Sequence, residues 1–229
     1  MIASNHPLGS RECARQLDIE PARANRLLRS LALSGLLTQD EHRKYRAGPG
    51  LHVLSAQAMR ASGLLPAALP AIESLRDTGL IVALGVLWRD QVSYLIHGRA
   101  PRRLEDGIGR VGTYPASRSG IGMALLARQS DDAVRALYAT ANEIPGFPGG
   151  IKSLLAELKR TRSRPYATAF QQLKQDQEIW SIGVALPHVP EAALALSGPI
   201  APDQHADLAH RLVAAASTIN PSKYLEEDR

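Results

Sequence analysis

Apolar residues recur at helical spacing between residues 11 and 37, and this pattern predicts two helices joined by a tight turn. The first helix places Cys13, Ala14 and Leu17 on one face, and Ser10 precedes it as a suitable N-cap. Asp18 occupies the turn, where aspartate tolerates left-handed backbone geometry. A small residue such as Ala14 and a turn residue of this kind are what the closely packed helices of a helix-turn-helix require.

The second predicted helix follows at once and carries a strong positive charge. Pro21 fits its first turn, since a missing amide proton costs nothing there, and Gly35 fits a left-handed C-cap. Its inward positions are expected to be Ala24, Leu27, Leu28 and Leu31. The opposite face carries three arginines and no acid. An alternative interpretation of the pair is a helical hairpin with a solvated basic face.

Residues 38–50 contain a polar turn between two short extended pieces, a pattern that resembles a wing and closes at Pro49. The following residues return to helical spacing and predict a linker helix that ends near Gly63. Its apolar positions are Leu51, Leu54, Ala58 and Met59. We therefore predict a DNA-binding domain over 1–49 and a linker helix over 50–63.

The remaining chain mixes helical and strand patterns and predicts an α+β domain with an antiparallel sheet flanked by helices. Two apolar runs separated by Arg89 and Asp90 predict a β-hairpin, and two later runs, at 179–186 and 191–198, predict a second pair of strands. Helices are expected at 66–79, 119–128, 131–140, 151–162 and 203–219. This domain is expected to cover 64–221, with 222–229 as a polar tail.

Composition favours a soluble globular protein, because 45% of the 229 residues are hydrophobic and no apolar run reaches the length of a membrane span. The first residues show no export signal, and the single cysteine, Cys13, cannot form an intrachain disulfide. We expect a cytoplasmic protein. The formal net charge is +5, and the excess of arginine over lysine suits phosphate and carboxylate recognition.

In a helix-turn-helix the second helix enters the major groove with its first residues at the base edges. Arg23 is suited to guanine and Asn25 to adenine, whereas Arg29 lies further from the tip and is suited to phosphate. The candidate DNA-binding residues are Pro21, Ala22, Arg23, Asn25, Arg26 and Arg29 on the helix, with Arg43, Lys44 and Arg46 on the wing.

Three segments together resemble the isocitrate lyase regulator (IclR) family of bacterial transcription factors. They are LDIEPARANRLLRSLALSGLLTQDEHRKYRAGPGL, YPASRSGIGMALLA and LALSGP, in the order that the family has. The resemblance implies a winged helix-turn-helix, a GAF/PAS-like effector-binding domain and self-association as a dimer or a dimer of dimers. It also implies binding to palindromic operator DNA and to a small organic acid, without a cofactor; whether the protein activates or represses stays open.

The resemblance also places an effector site at the start of the helix predicted near residue 119, where unpaired N–H groups would suit a carboxylate. The matching positions are Tyr114, Ser117, Ser119, Gly120, Ile121, Gly122, Ser181, Val184 and Ser197. Trp180 would add to an apolar wall with Ile121 and Val184. Arg118 would either pair with the carboxylate or point into solvent. The alternative for Ser119 is a simple N-cap.

Three departures from the family pattern stand out. A cysteine usual near Val184 is absent, and Arg118 replaces a smaller residue. Only nine residues, MIASNHPLG, precede the serine that opens the first predicted helix, where the family has a further helix. Leu17 and Leu31 are therefore expected to be partly exposed or covered by a neighbouring subunit.

The sequence offers little for an enzyme, because it holds no HExxH, P-loop, GxGxxG or Cys/His zinc pattern. Cys13 lies at an apolar helical position that favours packing over nucleophilic chemistry. The second alternative is a ligand-sensing or interaction module whose DNA-binding half has degenerated.

Overall fold

The computed structural model describes residues 6–108, 112–172 and 178–227. The chain divides into two compact units with the boundary between Ser62 and Gly63. No helix among the described residues is both long and apolar enough to cross a membrane.

The described part of the first unit, from residue 6 onward, contains three helices and one hairpin. Its elements are α1 (Ser10–Leu17), α2 (Pro21–Leu33), β1 (Leu37–Gln39), β2 (Tyr45–Ala47) and α3 (Pro49–Ser62). The predicted turn is confirmed, because Asp18 ends α1 with φ 49° and ψ 51°. Pro21 is the first residue of α2, and Gly35 follows the helix with φ 73°.

A small core holds this unit together. Leu28, Leu37 and Tyr45 are buried in it, and the half-buried Cys13 packs against them. Leu8 also pairs with β2 through two backbone hydrogen bonds to Tyr45, of 2.8 and 2.9 Å. This third extended segment was not predicted, since a single bridging residue leaves no alternating pattern in the sequence.

The inward face of α2 is narrower than predicted. Ala24 and Leu28 are buried, but Leu27 and Leu31 are 48% and 39% exposed. In α1 the N-cap is Gly9, not Ser10, which is the first helical residue. Leu17 is 60% exposed. Each of these leucines lies three residues from a buried residue of its own helix, namely Ala14, Ala24 or Leu28. They therefore border the buried stripe, and the described part of this unit covers them only in part.

In the second unit the described residues form a six-stranded antiparallel sheet with helices on both faces. Its strands are β3 (Ile81–Trp88), β4 (Gln91–Arg99), β5 (Thr113–Pro115), β6 (Ala167–Gln172), β7 (Glu178–Ala185) and β8 (Ala192–Gly198), in the spatial order β5-β4-β3-β8-β7-β6. Its helices are α4 (Leu64–Ser74), α5 (Gly120–Ala127), α6 (Asp131–Leu137), α7 (Gly150–Arg162), α8 (His205–Ser217) and α9 (Pro221–Glu227).

The two faces of the sheet bury different residues because side chains alternate along a strand. Leu84, Ile182 and Leu194 point to the face covered by α4 and α8. The other face carries small residues such as Ala83 and Ala195, which lie in the core with α5 and α7. Small side chains on that face let α5 lie directly on the strands.

Both predicted strand pairs are confirmed, with Arg89 at φ 56° in the hairpin turn between β3 and β4. Two features differ from expectation. The segment 167–172 forms strand β6, which was not predicted. The expected polar tail begins as helix α9, where Leu225 lies against Gly63.

Candidate functional site

The exposed surface of α2 carries three arginines and an asparagine. All six candidate residues on this helix are exposed: Pro21, Ala22, Arg23, Asn25, Arg26 and Arg29. The helix contains no acid. Within the part of the chain that the structure describes, none of its three arginines forms an ion pair, so their guanidinium groups are available to an anionic partner.

The hairpin that follows presents three more cations. The Asp40 carboxylate accepts the backbone N–H groups of His42 and Lys44, at 3.0 and 2.8 Å, and so stabilises the tight turn. Arg43 adopts φ 57° there. The side chains of Arg43, Lys44 and Arg46 are exposed, and Arg46 Nε donates to Thr38 Oγ1 at 3.2 Å.

Positive charge is concentrated in the first unit. Residues 1–62 hold nine arginines and lysines against five acids, a net charge of +4 out of +5 for the chain. One of the acids is already neutralised, because Arg15 bonds Glu12 at 2.6 Å and holds the pKa of that carboxyl below its usual value. This surface is suited to a polyanion.

Three serine hydroxyl groups of the second unit form hydrogen bonds around the start of α5, and we name them the serine cluster: Ser119, Ser181 and Ser197. Ser197 Oγ donates to Ser181 Oγ at 2.8 Å, and Ser181 Oγ also accepts the Gly120 N–H at 3.2 Å. Tyr94 Oη lies 3.2 Å from Ser119 Oγ. Burial raises the pKa of Tyr94, so this hydroxyl stays protonated.

The start of α5 is closed by protein. Ser119 is its N-cap and accepts the Gly122 N–H, and the Gly120 N–H is held by Ser181. The backbone of Gly120 lies so close to Gly183 that a Cβ on Gly183 would stand 2.0 Å from the Gly120 oxygen. The N-cap alternative for Ser119 is therefore confirmed. These two N–H groups, expected to receive a carboxylate, are already occupied.

Trp180 and Val184 do not belong to this site. Both side chains pack in the core under α4 and α8, whereas Ile121 packs in the core under α5 and α7. The reason is the period of two along β7, which puts Ser181 on one face and its even-numbered neighbours on the other. The predicted apolar wall was wrong at these two positions.

The other predicted site residues lie in edge strand β5 and in the turn that follows it, and they contact the opposite edge strand, β6. Tyr114 Oη donates to Gln171 Oε1 at 2.7 Å, and Gln171 Nε2 donates to the Arg118 carbonyl at 3.0 Å. Ser117 Oγ donates to the Pro145 carbonyl at 2.6 Å. The stem of Arg118 lies against Gly146, in the loop before α7. Gln171 was missed because β6 was not predicted.

A cavity of about 620 Å³ opens where β3 begins and β4 ends, and we name it the Arg99 cavity. It is lined by Ile81, His97, Gly98, Arg99, Ala100, Pro101 and Arg102. Sequence reasoning did not select these residues. The available signal was the pair of arginines three positions apart directly after an apolar strand.

Among the described residues no group of three or more His, Cys, Asp or Glu side chains could hold a metal ion.

Comparisons with known proteins relate the chain to transcription regulators. No protein-family model matches it. The HTH-type transcriptional regulator BhcR of Paracoccus denitrificans is 33% identical over 130 residues, which cover 56% of this chain and 46% of that regulator. The matched segment thus spans about half the length of this curated relative.

Solved structures establish the fold. An IclR transcriptional regulator from Silicibacter sp. TM1040 superposes with a TM-score of 0.76 at 22% identity, covering 97% of this chain and 93% of that one. An IclR family regulator from Brucella abortus gives 0.75 at 22% identity, covering 94% and 85%. An IclR homolog from Microbacterium hydrocarbonoxydans, complexed with 4-hydroxybenzoate, gives 0.64 at 20% identity, covering 96% and 92%. The chain has the mixed α/β fold of IclR regulators.

Proposed function

We propose that this chain is a transcription regulator of the IclR family that binds operator DNA through its first unit and a small organic acid through its second. The observation that carries the proposal is the exposed, acid-free face of α2, placed directly after a left-handed turn and followed by a basic hairpin. In such a winged helix-turn-helix, α2 is the helix that reads the major groove. The cations of the hairpin contact backbone phosphates or the minor groove.

The test is the binding of the full chain to the intergenic DNA upstream of its own gene, measured by fluorescence anisotropy at several salt concentrations. The logarithm of the association constant should fall linearly with the logarithm of salt concentration, with a slope of about −0.9 for each phosphate contacted. A scrambled duplex of equal length is the control. Equal affinity for both duplexes would contradict operator recognition.

The effector proposal is supported by the polar groups on the face of the sheet that also carries α5. The serine cluster supplies hydroxyl groups, and the Arg99 cavity supplies cations and apolar wall. Binding of 4-hydroxybenzoate by a protein of the same fold makes an aromatic acid the first candidate. In a thermal shift screen of organic acids, ligand at about 100 times its dissociation constant adds roughly 2.7 kcal/mol of stability.

The competing function is a sensor module without DNA affinity. The exposed leucines of the first unit, Leu17, Leu27 and Leu31, favour it, because an apolar surface on a soluble unit is typical of a protein contact. The two functions differ in one measurement. The sensor module would bind the organic acid and show no difference between operator and scrambled DNA.

A further inference from the structure

We propose that this protein binds a phosphate group, carried by inorganic phosphate or by a compact phosphate monoester, in a cavity where α5 and α7 end against the sheet. The cavity has a volume of about 300 Å³, and we name it the Arg128 cavity. Small residues of α5, β6 and β7 line its inner part, and three exposed arginines line its outer part. It lies at the opposite end of α5 from Ser119, so the proposal is independent of the proposed effector function.

Three arginines line the cavity: Arg128, Arg162 and Arg164. Arg162 is fixed by three hydrogen bonds. It donates from Nε to the Ala127 carbonyl at 2.9 Å, from Nη2 to the Gln129 carbonyl at 2.8 Å and from Nη1 to the Asp131 carboxylate at 2.7 Å. Two of these bonds cover carbonyl oxygens at the end of α5, whose partial negative charge would otherwise repel an anion. Arg162 therefore keeps a guanidinium group in place beside the cavity.

Arg128 is the arginine most available to a ligand. It forms no ion pair within the described part of the chain. Its side chain makes one hydrogen bond there, a long one of 3.4 Å from Nη1 to the Leu186 carbonyl. Nε and Nη2 are thus left to bind an anion, in the fork arrangement that suits two oxygens of one phosphate.

The charges around the cavity do not cancel. None of the described residues that line it is an acid. Arg164 lies 3.5 Å from the Glu157 carboxylate, which Arg160 binds more closely. With Arg162 paired to Asp131, four arginines face two acids, an excess of two positive charges. A phosphate group carries about two negative charges at neutral pH, so it would neutralise this excess.

A buried hydroxyl group lines the same cavity. Thr161 is 3% exposed, and its Oγ1 has no hydrogen-bond partner among the described residues. An unpaired buried hydroxyl is unfavourable in the free protein. A phosphate oxygen in the cavity would accept its proton, so binding would remove this cost. The unpaired hydroxyl distinguishes a ligand site from a group of surface arginines.

The cavity also limits the kind of ligand. Its volume is about half that of the Arg99 cavity, so the ligand must be compact. Tyr166 and Pro165 offer a short apolar wall to a small substituent. A carboxylate has one charge and two oxygens, and it would leave part of the positive charge and the Thr161 hydroxyl unmatched. A phosphate matches both.

The experiment is calorimetric titration of the full chain with inorganic phosphate and with methyl phosphate, at an ionic strength held constant by sodium chloride. Wild type should bind at least one of the two anions saturably, at one site per chain. Tighter binding of methyl phosphate would identify a monoester as the occupant, and tighter binding of inorganic phosphate would identify the free ion. Either result supports the proposal.

Two variants test the cavity itself. Arg128→Gln should weaken binding of the preferred anion by about tenfold, because a charge-assisted contact is lost. Thr161→Val should weaken it by about fivefold and should not lower the melting temperature of the free protein, because the hydroxyl has no partner to lose. Lys152→Gln, at an exposed position at the opposite end of α7, removes the same charge as Arg128→Gln and should bind as wild type does.

Three results would overturn the proposal. One is a wild type that binds neither anion saturably, and another is full affinity in both Arg128→Gln and Thr161→Val. The third is an equal loss of affinity in Lys152→Gln and Arg128→Gln, because net charge rather than the cavity would then be responsible. If Thr161→Val does not fold, Arg128→Gln still decides the question, since its side chain is exposed and forms no ion pair among the described residues.

Discussion

At the scale of single residues, the contact between Gly120 and Gly183 fixes α5 on the sheet. We expect Gly183→Ala to lower the free energy of unfolding by about 3 kcal/mol, because its Cβ would stand 2.0 Å from the Gly120 oxygen and backbone would have to move. Urea unfolding measures this. Gly112→Ala is the control, since a Cβ there meets nothing within 4 Å. Equal stability of the two variants would show that α5 is not packed as described.

The second prediction concerns operator binding by the exposed side chains of α2. Arg23→Ala or Asn25→Ala should cost about 1–3 kcal/mol of operator affinity and relax base preference, because each removes a bidentate contact to a base. Arg29→Ala should weaken binding to all sequences alike. Gel shifts with operator and single-base variants measure both effects, and Arg60→Ala on α3 is the control. Full operator affinity in the first two variants would contradict the proposed docking of α2.

The third prediction concerns the effect of Tyr138 on stability at alkaline pH. Burial, with the negative charge of Asp90, raises the pKa of Tyr138 to about 12, so the folded protein holds this proton more tightly than the unfolded chain, where the pKa is about 10. The stabilisation is complete below pH 10 and is lost as the pH rises towards 12. Between pH 10 and pH 12 the free energy of unfolding of Tyr138→Phe should fall less steeply with pH than that of wild type, because the variant lacks this titrating group. Tyr224→Phe is the control. If the free energy of unfolding depends on pH equally in Tyr138→Phe and wild type, Tyr138 does not cause the loss of stability.

At the scale of elements, the sequence predicted what depends on local pattern. The turn at Asp18, the hairpin at Arg89 and the pairing of β7 with β8 follow from backbone preferences and apolar runs. The face of the sheet on which each side chain lies was predicted less well. The resemblance grouped Val184 with Ser181, and Trp180 was added as an apolar neighbour, whereas a strand sends alternate residues to opposite faces.

The same contrast between local pattern and long-range contacts holds for the candidate effector site. Ser119 and Gly120 could be placed at a helix start from sequence, but the Gly120 N–H is occupied by the side chain of Ser181, from a strand some 60 residues later along the chain. The Arg99 cavity could not be predicted, since it depends on how a turn folds back beside the start of β3. Long-range contacts of this kind leave no periodic trace in a single sequence.

A further prediction concerns self-association through helix α3. None of its residues is buried, and Val53 and Leu54 are 59% and 56% exposed. One winged helix covers one half-site of DNA, so two must be held about 34 Å or a multiple of it apart. Light scattering should show a dimer or larger species at micromolar concentration. Leu54→Arg should weaken the assembly, and Gln57→Arg adds the same charge on the same helix as a control; a monomeric wild type would exclude this role for α3.

At the scale of the whole molecule, the two units must influence each other if the proposed function is right. Effector binding should change operator affinity by a coupling of about 1–3 kcal/mol, and operator DNA should change effector affinity by the same factor, because coupling free energies are reciprocal. Anisotropy with and without benzoate gives one side, and calorimetry with and without operator gives the other. Unequal factors, or none, would mean that the acid is not the regulating ligand.

The sheet order has a further consequence, for the timing of folding during synthesis. Strand β3 is central because it pairs with β8, although more than 100 residues of chain separate the two. A nascent chain that has emerged only as far as β5 presents β3 as an open sheet edge, with the apolar side chains Val82 and Leu84 beside unpaired backbone groups. Such edges promote aggregation. The nascent chain therefore stays exposed to this hazard until β8 has been synthesised and pairs with β3.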